Sequence, residues 1–137
     1  MLGGGFLQKY VIRKAKAMGY YVLCLDADPN AVGFDIADEH AVINIVDEEA
    51  CLAYARDKQV DGVLTAATDF SVLTMSRIAE ELHLPGINYQ SAKVIKNKAL
   101  VRKRLFEANA DDTGISYEID SVEDIADILP KIKFPVM

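Results

Sequence analysis

The sequence is short of basic residues, of long apolar runs and of cysteine or histidine constellations, and each shortage removes a class of function. Its 15 Lys and Arg stand against 21 Asp and Glu, a formal net charge of -6. It therefore lacks the basic face that a general nucleic-acid binder needs. No apolar stretch approaches the roughly 20 residues of a membrane span, and the N-terminus has no charged segment followed by an apolar core. These absences point to no nucleic-acid partner, no membrane partner and a cytoplasmic location. Cys24 sits in an apolar strand-like run and Cys51 in a helical one, with no CxxC pair between them, so both read as reduced, buried small residues. His40 and His83 read as structural, and no zinc spacing, Ser-His-Asp arrangement or P-loop is present.

What is present is a nucleotide-fold pattern. A chain of 137 residues that is 51% hydrophobic can bury one core. Gly3-Gly4-Gly5 leads at once into a helical pattern, with Leu7, Val11, Ile12, Ala15 and Met18 on one face and Gly19 as the stop. The run Tyr20–Leu25 follows and ends in Asp26, about 20 residues after the glycines. A glycine turn, a helix and a strand ending in an acid suit close backbone approach to a ligand and anion binding at a helix start. That order calls for a strand before the glycines, where only Met1-Leu2 stand, so the chain reads as trimmed at its front.

Tyr20–Leu25, His40–Ile45 and Val60–Thr65 are predicted strands. They lack polar alternation, which predicts a parallel sheet covered on both faces. Asp47 is an N-cap for a helix to about Lys58 with Leu52 and Ala55 inward, and Phe70–Leu82 is amphipathic with Phe70 among its inward residues. Helices are expected over 91–96 and 99–108, an edge strand at Tyr117–Ile119, a capping box at Ser121–Asp124 and a further strand beginning at Phe134. The fold class is α/β, a three-layer Rossmann-like parallel sheet over residues 1–90. Residues 91–137 form a helical link and the beginning of a second lobe. The strands of that lobe lack internal partners, so they are expected to be mobile or to pair with another molecule. That leaves room for a homodimer.

The candidate site residues follow from that frame. The glycine loop either makes a tight turn or cradles a ligand group, and a dinucleotide fingerprint would want glycine where Gln8 stands. Asp26 is open between a ribose-binding acid and a structural group, whereas Asp28 in Asp28-Pro29-Asn30 reads as a turn residue. Thr68 and Asp69 follow the third predicted strand and either cap the next helix or touch substrate. Lys93, Lys96, Lys98, Arg102, Lys103 and Arg104 are the one basic cluster, for the most part a solvated helix face, from which a single lysine can hold a phosphate.

Read in order, Leu2–Gln8, Asp26–Ala31, Ala37–His40, Asp61–Thr65, Asn97-Lys98 and Phe134–Val136 resemble the N-terminal part of ATP-grasp enzymes, in particular carbamoyl-phosphate-synthase-like and biotin-carboxylase-like members. The resemblance covers essentially the whole chain. It implies that residues 1–90 form the domain preceding the ATP-grasp fold, with Gly4, Gly5, Phe6, Leu7, Thr68 and Asp69 at the acceptor substrate and Lys98 at ATP phosphate. It further implies a parent ligase that uses ATP and Mg2+ to activate a carboxylate or bicarbonate for attack by an amine. On that reading the stretch shown here is inactive alone, because the other phosphate and magnesium groups lie beyond it. A Rossmann-type dinucleotide- or sugar-nucleotide-binding module and a stand-alone regulatory domain are the alternatives.

Overall fold

The computed structural model describes residues 1–110 and 117–134. The chain separates into two compact units, Met1–Lys96 and Asn97–Met137.

The first unit is built on a small parallel sheet. Strand β1 (Leu23–Asp26) pairs in parallel with β2 (Glu39–Val42), in register from Leu23 opposite Glu39 to Asp26 opposite Val42. On the other side of β1 lies the start of the chain. The Leu25 amide donates to Met1 O at 3.0 Å, the Gly3 amide to Leu25 O at 2.8 Å, and the Leu2 amide to Leu64 O at 2.9 Å. Leu2 thus bridges Leu25 and Thr65, both in parallel. Met1-Leu2 occupies the central place where the sequence pattern calls for a strand.

Helices cover both faces. Helix α1 (Gln8–Ala17) packs Ile12 with Val22, Cys24, Ala31 and Phe34 on one side. On the other, α2 (Glu48–Asp57) and α3 (Val72–Glu81) bring Cys51, Leu52, Ala55 and Ile78 against Leu2 and Leu25. Cys24 and Leu25 face opposite layers because successive strand side chains alternate. This is the three-layer α/β arrangement that the apolar runs predict. Burying Leu2, 2% exposed, stabilises it by roughly 2 kcal/mol. Two hydroxyls in the α3 layer are satisfied locally, Thr74 donating to Ile45 O at 2.7 Å and Ser76 to Leu73 O at 2.8 Å. Asp47 caps α2 as expected, its carboxylate accepting from the Ala50 amide at 3.0 Å. Helix α4 (Tyr89–Lys96) packs on α3 and closes the unit.

Several boundaries differ from expectation, each for a physical reason. The first strand begins at Leu23, since Tyr20 closes the end of α1 by donating to Ala15 O, and the Val22 amide goes to the Asp38 carboxylate. Tyr20 and Tyr21 are exposed rather than covered. The second strand ends at Val42, beyond which Ile43 donates to Asp26 O and Asn44 opens the turn into α2. Val60–Thr65 is no full strand: the Val60 amide closes α2 on Ala55 O, and pairing is confined to the bridge with Leu2. Phe70 does not face inward; it is 72% exposed, ahead of α3.

The second unit contains α5 (Lys98–Glu107), capped by the Asn97 side chain accepting from the Leu100 amide at 3.0 Å, and a short α6 (Asp124–Ile128) that tightens into a 3-10 turn at Leu129–Lys131. Half of the predicted capping box forms, with the Asp124 carboxylate accepting from the Asp120 and Ser121 amides. Tyr117–Ile119 is not a strand, and no partner strand for it lies among the described residues. Of the strand predicted from Phe134, residues 135–137 lie outside the described residues, and so do 111–116 within the segment expected to be mobile. No helix among the described residues is long and apolar enough to cross a membrane.

Candidate functional site at the carboxyl edge of the sheet

The glycine loop leaves the sheet beside the carboxyl end of β1 and is held tightly. Gly3 adopts φ 98°, a conformation that favours glycine. The Gly4 amide donates to Asp26 Oδ2 at 2.7 Å, and the Asp28 amide to Asp26 Oδ1 at 2.9 Å. Asp26 therefore accepts a backbone amide at each oxygen and positions the loop, the structural one of its two open roles. Asp28 is a turn residue as expected, accepting from the Asn30 amide at 2.9 Å. Gly4 O accepts from the Gly33 amide at 2.6 Å. A Cβ on Gly4 would lie 3.0 Å from Cys24 Sγ and 3.2 Å from Ala31 Cβ, so close packing also demands glycine there. Burial pushes the Cys24 thiol up to about 11 and Cys51 likewise, so both are protonated and unreactive at neutral pH.

Beyond Gly4 the loop opens to solvent. Phe6 and Leu7 are exposed, and among the described residues no acceptor reaches the amides of Gly5, Phe6 and Leu7 at the start of α1. The first turn of α1 carries no acidic side chain. These amides and the helix dipole favour an anionic group there. Lys9 Nζ stands 3.6 Å from the Phe6 ring centre, and Tyr10 meets that ring edge-on at 6.0 Å.

The second loop adjoins the first. Thr65 Oγ1 donates to Leu2 O at 3.0 Å and meets Ser71 Oγ at 2.7 Å. Gln8 Nε2 donates to Ala66 O at 2.7 Å. Ala67 then adopts φ 56°. Thr68 Oγ1 accepts from the Phe70 amide at 3.2 Å, a local turn contact two residues ahead of α3, whose N-cap position is Ser71 with no side-chain cap, so neither Thr68 nor Asp69 caps the helix. Asp69 differs. Its backbone carbonyl accepts from Lys96 Nζ at 2.9 Å, while among the described residues its exposed carboxylate has no partner. Lys96 Nζ also lies 5.6 Å from the Phe70 ring centre.

The predicted residues thus divide. Gly4, Gly5, Phe6 and Leu7 lie on one loop, and Thr68 and Asp69 on the loop stitched to it. Lys98 belongs to the second unit, where it is the exposed first residue of α5. Sequence reasoning missed Gln8, read there only as a departure from a dinucleotide fingerprint, and missed Gly33 and Ser71. The glutamine's burial was not visible in a helical pattern that placed apolar residues at Leu7 and Val11.

A surface depression of about 310 Å³ lies elsewhere, between α3 and α4, lined by Ala79, Glu80, His83, Gly86 and Asn88. It is open, whereas the two loops stand at the carboxyl edge of a parallel sheet, where open α/β folds bind ligands, and are the better candidate. Among the described residues no group of three or more His, Cys, Asp or Glu side chains gathers to hold a metal ion.

No family model matches the chain. It is similar to the N5-carboxyaminoimidazole ribonucleotide synthase of Staphylococcus epidermidis, 24% identical over 135 residues that cover 98% of this chain and 35% of the relative. The formate-dependent phosphoribosylglycinamide formyltransferase of Prochlorococcus marinus is 25% identical over 142 aligned positions, covering 100% of this chain and 35% of the relative. Among solved structures, phosphoribosylglycinamide synthetase from Anaerococcus prevotii superposes with a TM-score of 0.75 at 19% identity, over 98% of this chain and 34% of that one, which shows the fold. The chain spans about a third of the length of the curated relatives it matches.

Proposed function

We propose that this chain, related in sequence and fold to the N-terminal region of ATP-grasp enzymes, supplies the acceptor-binding loops of an ATP-dependent ligase. The ligase activates a carboxylate or bicarbonate as an acyl phosphate, which an amine or another nucleophile then attacks. The observation that carries this reading is the pair of stitched loops at the carboxyl edge of a parallel sheet, where open α/β folds bind ligands.

In this reading the amides of Gly5, Phe6 and Leu7 receive an anionic group of the acceptor, and Gly4 lets the backbone come close. The Asp69 carboxylate accepts from its amine, beside Thr68. The relatives' names share a phosphoribosyl or ribonucleotide part, so an amine carrying a ribose phosphate is the acceptor class. Lys98, exposed beside the Asn97 cap, holds an ATP phosphate as a point charge. ATP would supply the phosphoryl group that turns the carboxylate into an acyl phosphate with release of ADP, and attack by the amine would then expel phosphate. Mg2+ belongs to that chemistry in general, but the described residues offer no carboxylate cluster that fits it. Residues 1–90 act as the domain preceding the ATP-grasp lobe, and 91–137 lead into that lobe, in a cytoplasmic enzyme.

ADP release by the enzyme that carries this chain, assayed with bicarbonate or formate and a phosphoribosyl amine, tests the reading. Lys98→Ala is expected to raise the apparent ATP constant while Lys103→Ala leaves it unchanged. No ADP release with any such pair, or equal effects of the two variants, would overturn the reading.

A further inference from the structure

Gln8 is the one long polar side chain of the first unit that is about nine-tenths buried, at 9% exposure. It sits at the first position of α1, under the glycine loop. A Cβ on Gly3 would lie 3.4 Å from Gln8 Cγ, and one on Gly5 would lie 2.9 Å from Gln8 Oε1. The space that two glycines leave open is filled by this glutamine. Its nitrogen must face Ala66 O, because a carbonyl accepts and only the amide NH2 can donate to it.

The bond ends one residue before Ala67, whose φ of 56° is left-handed in a residue with a Cβ. Among the described residues the other left-handed non-glycine residues, Gln59, His83 and Asn109, each lie just past the end of a helix, where that conformation is the ordinary stop. Ala67 ends no helix. A left-handed residue of this kind persists only where its surroundings fix it. Thr65 and Thr68 bracket it through contacts at Leu2 O, Ser71 and the Phe70 amide. The Gln8 bond is the contact that reaches the loop from α1.

We propose that Gln8 is a positioning residue that holds Ala67 left-handed and so presents Thr68 and Asp69 beside the glycine loop. The second loop then takes its place from the first through a single side-chain bond, so a change under the glycine loop is felt at Thr68 and Asp69. The consequence for ligand binding rests on the reading that Thr68 and Asp69 touch the acceptor; the joint itself does not.

The test compares Gln8→Met with Gln8→Glu in the isotope-labelled chain, following the positive-φ signature of Ala67 in its amide–Hα coupling and intraresidue Overhauser effect. Both variants are expected to lose the signature at neutral pH, since neither can donate to Ala66 O. On acidification Gln8→Glu recovers it, because a protonated carboxyl is a donor, and Gln8→Met does not. Retention of the signature in Gln8→Met, or no recovery in Gln8→Glu, overturns the proposal. So does loss of the Ile12 and Leu25 resonances in either variant, since the proposal confines the change to residues 65–70. If Ala67 behaves as expected but Gln8→Met binds a phosphoribosyl amine as tightly as the parent chain, rather than about tenfold more weakly, the joint stands and the substrate assignment fails.

Discussion

Gly3 and Gly4 are anchored on every side: Gly3 to Leu25, Gly4 to the Asp26 carboxylate through its amide and to Gly33 through its carbonyl. Residues 66–69 have looser fastenings. One side-chain amide holds Ala66, one hydroxyl turns Thr68, and the Asp69 carboxylate and Phe70 ring face solvent. The first loop is made rigid by buried backbone approach, and the second is held by side chains borrowed from its neighbours. A site assembled this way has one fixed wall and one adjustable wall, and the adjustable wall carries the free charge.

Substitutions at the fixed wall should cost most. In Gly33→Ala the new Cβ would sit 2.7 Å from Ile12 Cδ1 and 2.8 Å from both Gly4 Cα and Gly4 O. Backbone cannot yield as a side-chain tip can, so a loss of about 3 kcal/mol is expected in urea unfolding. A loss within experimental error would mean that the close approach is not rigid. Asp26→Ala strands the Gly4 and Asp28 amides and should cost about 2 kcal/mol. Its spectral changes should centre on Gly3–Gly5, leaving Thr68 and Asp69 less affected; the reverse would break the distinction between the walls.

Burial raises the Cys24 thiol, beneath the fixed wall, and Cys51 from 9.0 to about 11. A raised acid keeps its proton longer in the folded state, so the folded form has its full advantage below pH 9. Stability should then fall as the pH rises from about 9 to about 11. Denaturant midpoints measured across that range check the sign, and Cys24→Ala should flatten the slope. The smallest effect belongs to the adjustable wall. Ala67→Gly removes the left-handed penalty but adds freedom to the unfolded chain, leaving a net change under about 1 kcal/mol.

The same contrast explains what could be read from the sequence. Asp47 and the Asp28 turn were legible because each acts within three residues of itself. The α/β layering was legible because apolar runs mark covered strands. Tyr20-Tyr21, Val60–Leu64 and Phe70 misled because an apolar run records potential burial, while the partner decides it. Leu2 alone faces the third segment, so pairing there lasts one bridge. Gln8 and Gly33 were opaque for a related reason: their meaning lies in Ala66 and Gly4, 58 residues away in the first case and across the α1–β1 unit in the second.

The central claim is that these two loops together receive the acceptor. Titrating the isotope-labelled chain with a phosphoribosyl amine and following its amide resonances tests it most directly. The account predicts saturable shifts at Gly5, Phe6, Leu7, Thr68 and Asp69, with Tyr20 and Tyr21 unmoved. Shifts centred on the Glu80–Asn88 depression, or no saturable shift at millimolar ligand (on the order of the weakest specific affinities), would contradict it.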